Sequence, residues 1–174
     1  MRRVLLVVMA GLVRVGCREA ATGTTVRGEE GLAIYLLAEE GPASLLEGRA
    51  LAELALVEEP IIGPDDLLAY DTATHTMSLS EAAMGRVREL FAAPVPTGGV
   101  PFVVKAGGER IYAGAFWTPL SSLSYDGVVI LDTQMLSSVM PGDIRITLGY
   151  PAPEVFTGAD PRADRRILEA VGGG

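Results

Sequence analysis

The sequence predicts an α+β fold, in which a mainly antiparallel sheet carries two or three helices packed on one face. Three observations support this class: apolar runs of strand length separated by Gly and Pro, an amphipathic helix pattern after Ser80, and a hairpin pattern around Gly107–Gly108. The 174 residues, 49% of them apolar and 21% charged, are ordinary for one globular domain. We therefore expect a single domain over residues 31–174.

The first half of this domain contains short elements. A strand is expected at Leu32–Ala38, because this run is apolar and is followed by Gly41-Pro42. A short helical turn is expected at Ser44–Arg49. The apolar residues alternate over Leu51–Val57, which predicts a second strand. Residues 58–68 are expected to form a loop that leads into a short helix, with Asp65 as its capping residue.

The second half has the clearer patterns. Residues His75–Leu79 look extended, and Ser80 can cap a helix with an apolar stripe formed by Ala83, Val87, Leu90 and Phe91. Pro94 and Pro96 end that helix. Residues Pro101–Ala106 and Glu109–Phe116 flank two glycines that can adopt the positive φ angles of a tight hairpin turn. Further strands are predicted at Val128–Leu131 and Ile144–Gly149, and a last helix is predicted from Asp160-Pro161 to about Val171.

The first residues have the pattern of a secretory signal. A charged start, Arg2-Arg3, precedes the apolar run Val4–Val13 and the only cysteine of the chain, Cys17. This arrangement resembles the signal of a bacterial lipoprotein, which implies cleavage before Cys17 and lipidation of its thiol. We therefore predict a signal peptide over residues 1–16 and a flexible tether over residues 17–30.

Three alternatives to lipidation stay open, because Arg14 occupies a position where lipoprotein signals usually have an aliphatic residue. The segment could be a secretory signal without lipidation, which would leave the protein secreted or periplasmic. It could also be an uncleaved anchor or a core strand, with Cys17 as an inert small residue.

The charge of the chain limits its partners. The formal net charge is −8, and cleavage before Cys17 would remove three arginines and make it more negative. An acidic surface disfavours nucleic acids and anionic lipid surfaces, which attract basic patches. The expected partners are the membrane, through the lipid anchor, and an envelope protein or small ligand. One cysteine excludes an intramolecular disulfide and a multi-cysteine metal site.

Motifs for catalysis and cofactors are scarce. The single histidine, His75, follows Asp71 by four residues, and two such ligands on a polar turn are a weak metal site. A hydrolase would need Ser121 or Ser122 near His75, but no Gly-x-Ser-x-Gly elbow is present. The glycines near residue 107 lack the Gly-Lys-Ser/Thr of a phosphate loop. We therefore assign no catalytic residue, metal or cofactor.

The best candidate for a binding surface is the segment 116–126. It contains the only tryptophan, in a loop rich in Pro and Ser, and exposed loop aromatics can anchor a ligand or a partner. The candidate binding residues are Trp117, Ser121, Ser122, Tyr125 and Asp126. Alternatively, Phe116 and Trp117 fill the core and the serines satisfy the turn. Exposure of Trp117 distinguishes these two interpretations.

Several segments together resemble known families. They are Asp65–Thr76, Leu79–Glu81, Val100–Val104 and Ile111–Trp117. They are similar to a group of uncharacterised bacterial exported proteins, many of them apparently lipoproteins, over about residues 32–170; this implies a shared fold but no activity. The strand, short acidic segment, helix and strand pair are also similar to the periplasmic domain of the protein-export subunit SecD, which implies a related fold.

These patterns favour a non-catalytic binding or accessory protein of the bacterial cell envelope. An envelope hydrolase that uses a Ser/His pair, or a purely structural domain, are the alternatives. Substitution of His75 distinguishes the first two, because a hydrolase would lose turnover and a binding domain would not.

Overall fold

The fold combines a seven-stranded sheet with two α-helices. The computed structural model describes residues 31–93, 95–132 and 142–172, so the predicted signal, Cys17 and the tether lie outside it. The strands are β1 (Leu32–Leu36), β2 (Leu67–Asp71), β3 (Thr76–Leu79), β4 (Val100–Ala106), β5 (Glu109–Trp117), β6 (Tyr125–Leu131) and β7 (Asp143–Tyr150). The helices are α1 (Glu81–Ala92) and α2 (Arg165–Gly172). The predicted α+β class is confirmed.

The sheet is mixed. Its strand order is β1-β4-β5-β6-β7-β3-β2, and β5 pairs with β6 in parallel, with Gly114 opposite Val128 and Trp117 opposite Leu131. The other neighbouring strands are antiparallel. A wholly antiparallel sheet is therefore excluded, although antiparallel pairing predominates.

Both helices contribute to the main core on one face of the sheet. Met84 and Val87 of α1 and Ile167 of α2 are buried with Phe102 and Phe116 of the central strands. The apolar stripe predicted for α1 faces this core. Burial of such large side chains is the principal stabilising contribution to a fold of this kind.

The opposite face is covered by irregular segments. One cluster there joins Ala43 to Ala115, Trp117 and Val129, and a second joins Leu37 and Leu54 to Val103. Short 3-10 turns provide much of this cover, at Ala43–Leu46 and Leu51–Glu53. The sheet is thus buried on both faces along its central strands.

Several local predictions are confirmed. The Ser80 hydroxyl accepts a hydrogen bond from Ala83 N at 3.2 Å and so caps α1. Gly107 and Gly108 have φ angles of 56° and 79° and close the β4–β5 hairpin. Strands β1, β3, β6 and β7 also lie where strands were predicted.

Three local predictions are wrong. Within the strand predicted at Leu51–Val57, residues Leu51–Glu53 form a 3-10 turn, in which Leu54 N donates to Leu51 O at 3.4 Å, and only an isolated antiparallel bridge between Leu56 and Leu37 forms after it. A strand, β2, follows the turn Pro64–Asp66 where a helix was expected. Asp160 caps only a 3-10 turn, and α2 begins later.

Candidate functional site

Trp117 is part of the core. Its side chain is 2% exposed and stacks on Tyr125, with ring centroids 5.1 Å apart and an interplanar angle of 14°. Tyr150 lies on the same face, with its ring centroid 5.8 Å from that of Trp117. The Tyr125 ring lies over Gly127 of its own strand, where a Cβ would overlap it, and Trp117 is opposite Leu131 further along β6. The expectation that Trp117 itself contacts a partner is therefore corrected: this indole is not accessible.

Ser121 is also enclosed. Its side chain is buried, its hydroxyl donates to Thr97 O at 2.6 Å, and its Oγ accepts from Leu123 N at 3.2 Å. Thr97 lies outside the segment 118–124 and Leu123 lies within it, so this hydroxyl both anchors the segment and stabilises its turn. Ser122, the next residue, is exposed.

The two remaining candidates lie at the start of β6. Tyr125 is half-buried, and burial raises the pKa of its phenol to about 12. Asp126 is exposed and accepts hydrogen bonds from the hydroxyl and the N–H of Thr157, at 2.6 and 2.8 Å. These two bonds lower the pKa of the Asp126 carboxyl. Both side chains connect β6 to neighbouring segments.

The loop 118–124 exposes two leucines that were not among the predicted binding residues. Leu120 is 75% exposed and Leu123 is 51% exposed. The loop is fixed beneath them, because the Tyr150 hydroxyl lies 3.0 Å from Pro119 O and 3.1 Å from Ser121 O. Ser121 N also donates to Thr118 O at 3.0 Å. The only sequence feature that could have indicated these contacts is the presence of leucine in a Pro- and Ser-rich loop, and this feature does not distinguish an exposed leucine from a buried one.

His75 lies in the turn between β2 and β3. Its φ angle is 53°, and its ring Nδ1 lies 3.0 Å from the Tyr70 hydroxyl. Burial and the positive charge of Arg162 lower the pKa of the imidazole. The pKa of Tyr70 is raised to about 12 by burial, so its hydroxyl stays protonated at neutral pH.

The structure does not bring His75 and Ser121 together. The His75 carbonyl accepts from Ile146 N at 2.9 Å, whereas the Ser121 carbonyl accepts from the Tyr150 hydroxyl. No hydrogen bond joins the two side chains among the described residues, and His75 Nδ1 lies beside the Tyr70 hydroxyl instead. Because the Ser121 hydroxyl is bound to Thr97 O, it does not form a nucleophile–base pair with His75 in this conformation.

Asp71 stabilises the same turn through local bonds. Its carboxylate accepts from the Thr74 hydroxyl at 2.8 Å, from Ala73 N at 2.8 Å and from Thr74 N at 3.3 Å. These bonds lower the pKa of the Asp71 carboxyl. Among the residues described by the structure, no three His, Cys, Asp or Glu side chains are grouped as metal ligands.

Comparisons with known proteins give no match among protein-family models, curated proteins or solved structures. The resemblances to exported bacterial proteins and to the SecD periplasmic domain therefore stay predictions. Within residues 31–93, 95–132 and 142–172, no helix has the length and apolar character needed to cross a membrane.

Proposed function

We propose that this chain is a non-catalytic binding or accessory protein of the bacterial cell envelope, tethered to the membrane by a lipidated Cys17. The signal-like segment before Cys17 and the polar residues 18–30 support the tether. The contact surface is the loop 118–124, with Leu120 and Leu123 as its apolar contacts.

The proposed contact surface rests on one observation, which is that two leucines are exposed on a loop held in place by hydrogen bonds. A loop that is already ordered loses little conformational entropy on binding, which favours affinity. The bonds from the Tyr150 hydroxyl and to Thr97 O supply that order. Exposed apolar side chains gain free energy when a partner removes them from water. The buried hydroxyl of Ser121, which is bonded to Thr97 O, disfavours the hydrolase alternative.

The tether is tested by intact mass and membrane fractionation of the full chain expressed in a bacterium, with Cys17→Ser beside it. We expect the wild type to carry the mass of a diacylglycerol and an acyl chain on Cys17 and to sediment with membranes. The Cys17→Ser variant should lose both properties. A wild-type chain that begins at Met1 and stays in the cytosol would overturn the envelope location.

The contact surface is tested by photocrosslinking in the same cells. A photoreactive amino acid is placed at Leu120, or at Leu68 as the control, since Leu68 is 69% exposed and lies on β2. We expect a discrete adduct from position 120 that Leu123→Glu abolishes, and none from position 68. Equal labelling at both positions, or no adduct at either, contradicts the proposed surface.

A further inference from the structure

A second surface feature is independent of the loop 118–124. A cleft of about 370 Å³ lies where β7 passes the end of the β2–β3 hairpin. Its lining includes His75, Arg145, Thr147, Leu148, Pro153 and Arg162. No residue of the loop 118–124 lines it, so a failure of the proposed loop surface leaves the cleft unaffected.

Arg162 shapes one wall of this cleft. The hydrogen bond from Ile146 N to His75 O ends the pairing of β7 with the hairpin. At the same residue, the Ile146 carbonyl accepts from Arg162 Nη1 at 2.8 Å. The rest of the Arg162 guanidinium forms a two-bond pair with Asp160, Nε–Oδ1 at 2.9 Å and Nη2–Oδ2 at 2.8 Å. Arg162 is therefore held in place, and its charge is partly compensated.

Arg145 is the unpaired cation of the cleft. Its side chain is exposed and makes no hydrogen bond or salt bridge to any residue in the described part of the chain; the carboxylate of Asp71 acts on it only at longer range. Arg88 on α1 is likewise unpaired among the described residues, but it does not line this cleft. The cleft lining contains no aspartate or glutamate, although the chain as a whole has a net charge of −8.

His75 adds a potential donor beside Arg145. The Tyr70 hydroxyl, which stays protonated, can donate to Nδ1, and the tautomer that accepts this bond carries its proton on Nε2. The charged groups that act on the imidazole are Arg162, Asp160 and Asp71. Burial, the largest cause, and the positive charge of Arg162 together lower the pKa of His75, which favours the neutral imidazole with its Nε2–H as a donor.

We propose that this cleft binds a small soluble ligand that carries a phosphate group, with Arg145 as its charged contact and His75 as a second donor. A phosphate group has several free oxygens, so it can accept from a guanidinium and an imidazole at once. Leu148 and Pro153 provide an apolar wall for the rest of the ligand. The acidic chain disfavours an anionic bilayer as the source of that group.

The test follows the ring resonances of His75 by NMR, which need no assignment because His75 is the only histidine. Inorganic phosphate is added to the full chain at constant pH and ionic strength. We expect a saturable shift in the wild type and in Arg88→Gln, which loses an unpaired arginine elsewhere. Arg145→Gln should weaken binding about tenfold or more, since a hydrogen bond between charged groups is lost. Arg145→Lys keeps the positive charge but lacks the planar guanidinium, so its affinity for phosphate should lie between those of the wild type and Arg145→Gln.

Three results would overturn the proposal. The first is a shift that does not saturate in the wild type. The second is equal binding by Arg145→Gln, Arg145→Lys and the wild type. The third is a response to phosphatidylglycerol vesicles with none to inorganic phosphate, because it would assign the cleft to a lipid headgroup. Circular dichroism of each variant verifies that the fold is retained.

Discussion

Among single residues, Asp66 joins the turn Pro64–Asp66 to helix α1. Its Oδ2 accepts from Gly63 N at 2.8 Å and from the Arg86 guanidinium of α1, and its Oδ1 accepts from the Ser80 hydroxyl at 2.8 Å. Burial alone would raise the pKa of this carboxyl, but the Gly63, Ser80 and Arg86 contacts outweigh it and lower the pKa. The sequence indicated Asp65 as the capping residue, and only the position of α1 decides that Asp66 has this role.

We expect Asp66→Asn to lower the free energy of unfolding by about 1–3 kcal/mol at neutral pH, because partly buried donors lose a charged acceptor. The pKa of Asp66 in the folded state is below the reference value of 3.8, so its contribution is complete above that pH and is lost as the pH falls through the folded value. The difference from wild type should therefore shrink in acid. Urea denaturation measures this, with the exposed neighbour Asp65→Asn as the control; an equal effect of both variants contradicts the role of Asp66.

A second residue-scale prediction concerns Tyr112. Its ring is buried in the main core, burial raises its pKa, and its hydroxyl has no hydrogen-bond partner among the described residues. Tyr112→Phe should leave the free energy of unfolding unchanged or raise it by up to about 1 kcal/mol, since an unpaired buried hydroxyl is removed. Tyr70→Phe removes a hydroxyl that is bound to His75 and should lower it by about 1 kcal/mol. Thermal unfolding of both variants tests which one is less stable, and a larger loss of stability in Tyr112→Phe than in Tyr70→Phe would disprove the prediction.

At the scale of elements, the parallel pair β5–β6 organises the face that carries Trp117. The Tyr150 hydroxyl joins the intervening loop 118–124 to that face, and Gly99, with a φ angle of 73°, lies against the indole ring from the entry to β4. The connection is short, and short connections between strands predict antiparallel pairing. The sequence therefore predicted the strands but not this pairing.

The contact of Gly99 with Trp117 leads to an element-scale prediction. A Cβ at position 99 would overlap the indole ring, whereas a Cβ at Gly107 would meet open space. Both positions have positive φ, so both substitutions by Ala carry a backbone cost of about 1–2 kcal/mol. Gly99→Ala should add about 1–3 kcal/mol through the steric overlap. Chemical denaturation of the two variants compares them directly, and similar losses would mean that Trp117 moves aside at little cost.

At the scale of the whole molecule, the resolved pKa shifts of the aspartates and of His75 have the same sign. The aspartates with lowered pKa are Asp66, Asp71, Asp126, Asp160 and Asp164. Hydrogen bonds from neighbouring side chains and N–H groups account for most of these shifts. The pKa of His75 is also lowered, by burial and Arg162. In each case the unfolded chain binds the proton more readily than the folded chain.

We therefore expect stability to decrease on acidification in two stages. The first begins as the pH falls through 6.5, where His75 of the unfolded chain takes up a proton, and the second begins near 3.8, where the aspartates of the unfolded chain do so. His75→Gln should remove the first stage and retain the second. The measurement is the urea midpoint against pH, at a salt concentration that screens repulsion between the surface carboxylates. If the urea midpoint instead increases as the pH is lowered from neutral to 5, this result would contradict the lowered pKa of His75.

Features that depend on neighbouring residues could be predicted from the amino-acid sequence. The Ser80 cap and apolar stripe of α1, the two-glycine turn of the β4–β5 hairpin and most strand positions are set by local backbone and hydrophobic preferences. The strand order, the burial of Trp117, the exposure of Leu120 and Leu123, and the cleft that His75 and Arg145 share could not be predicted in this way. These features depend on contacts between residues that are distant in the chain, and a local sequence pattern does not show which distant residues will be in contact.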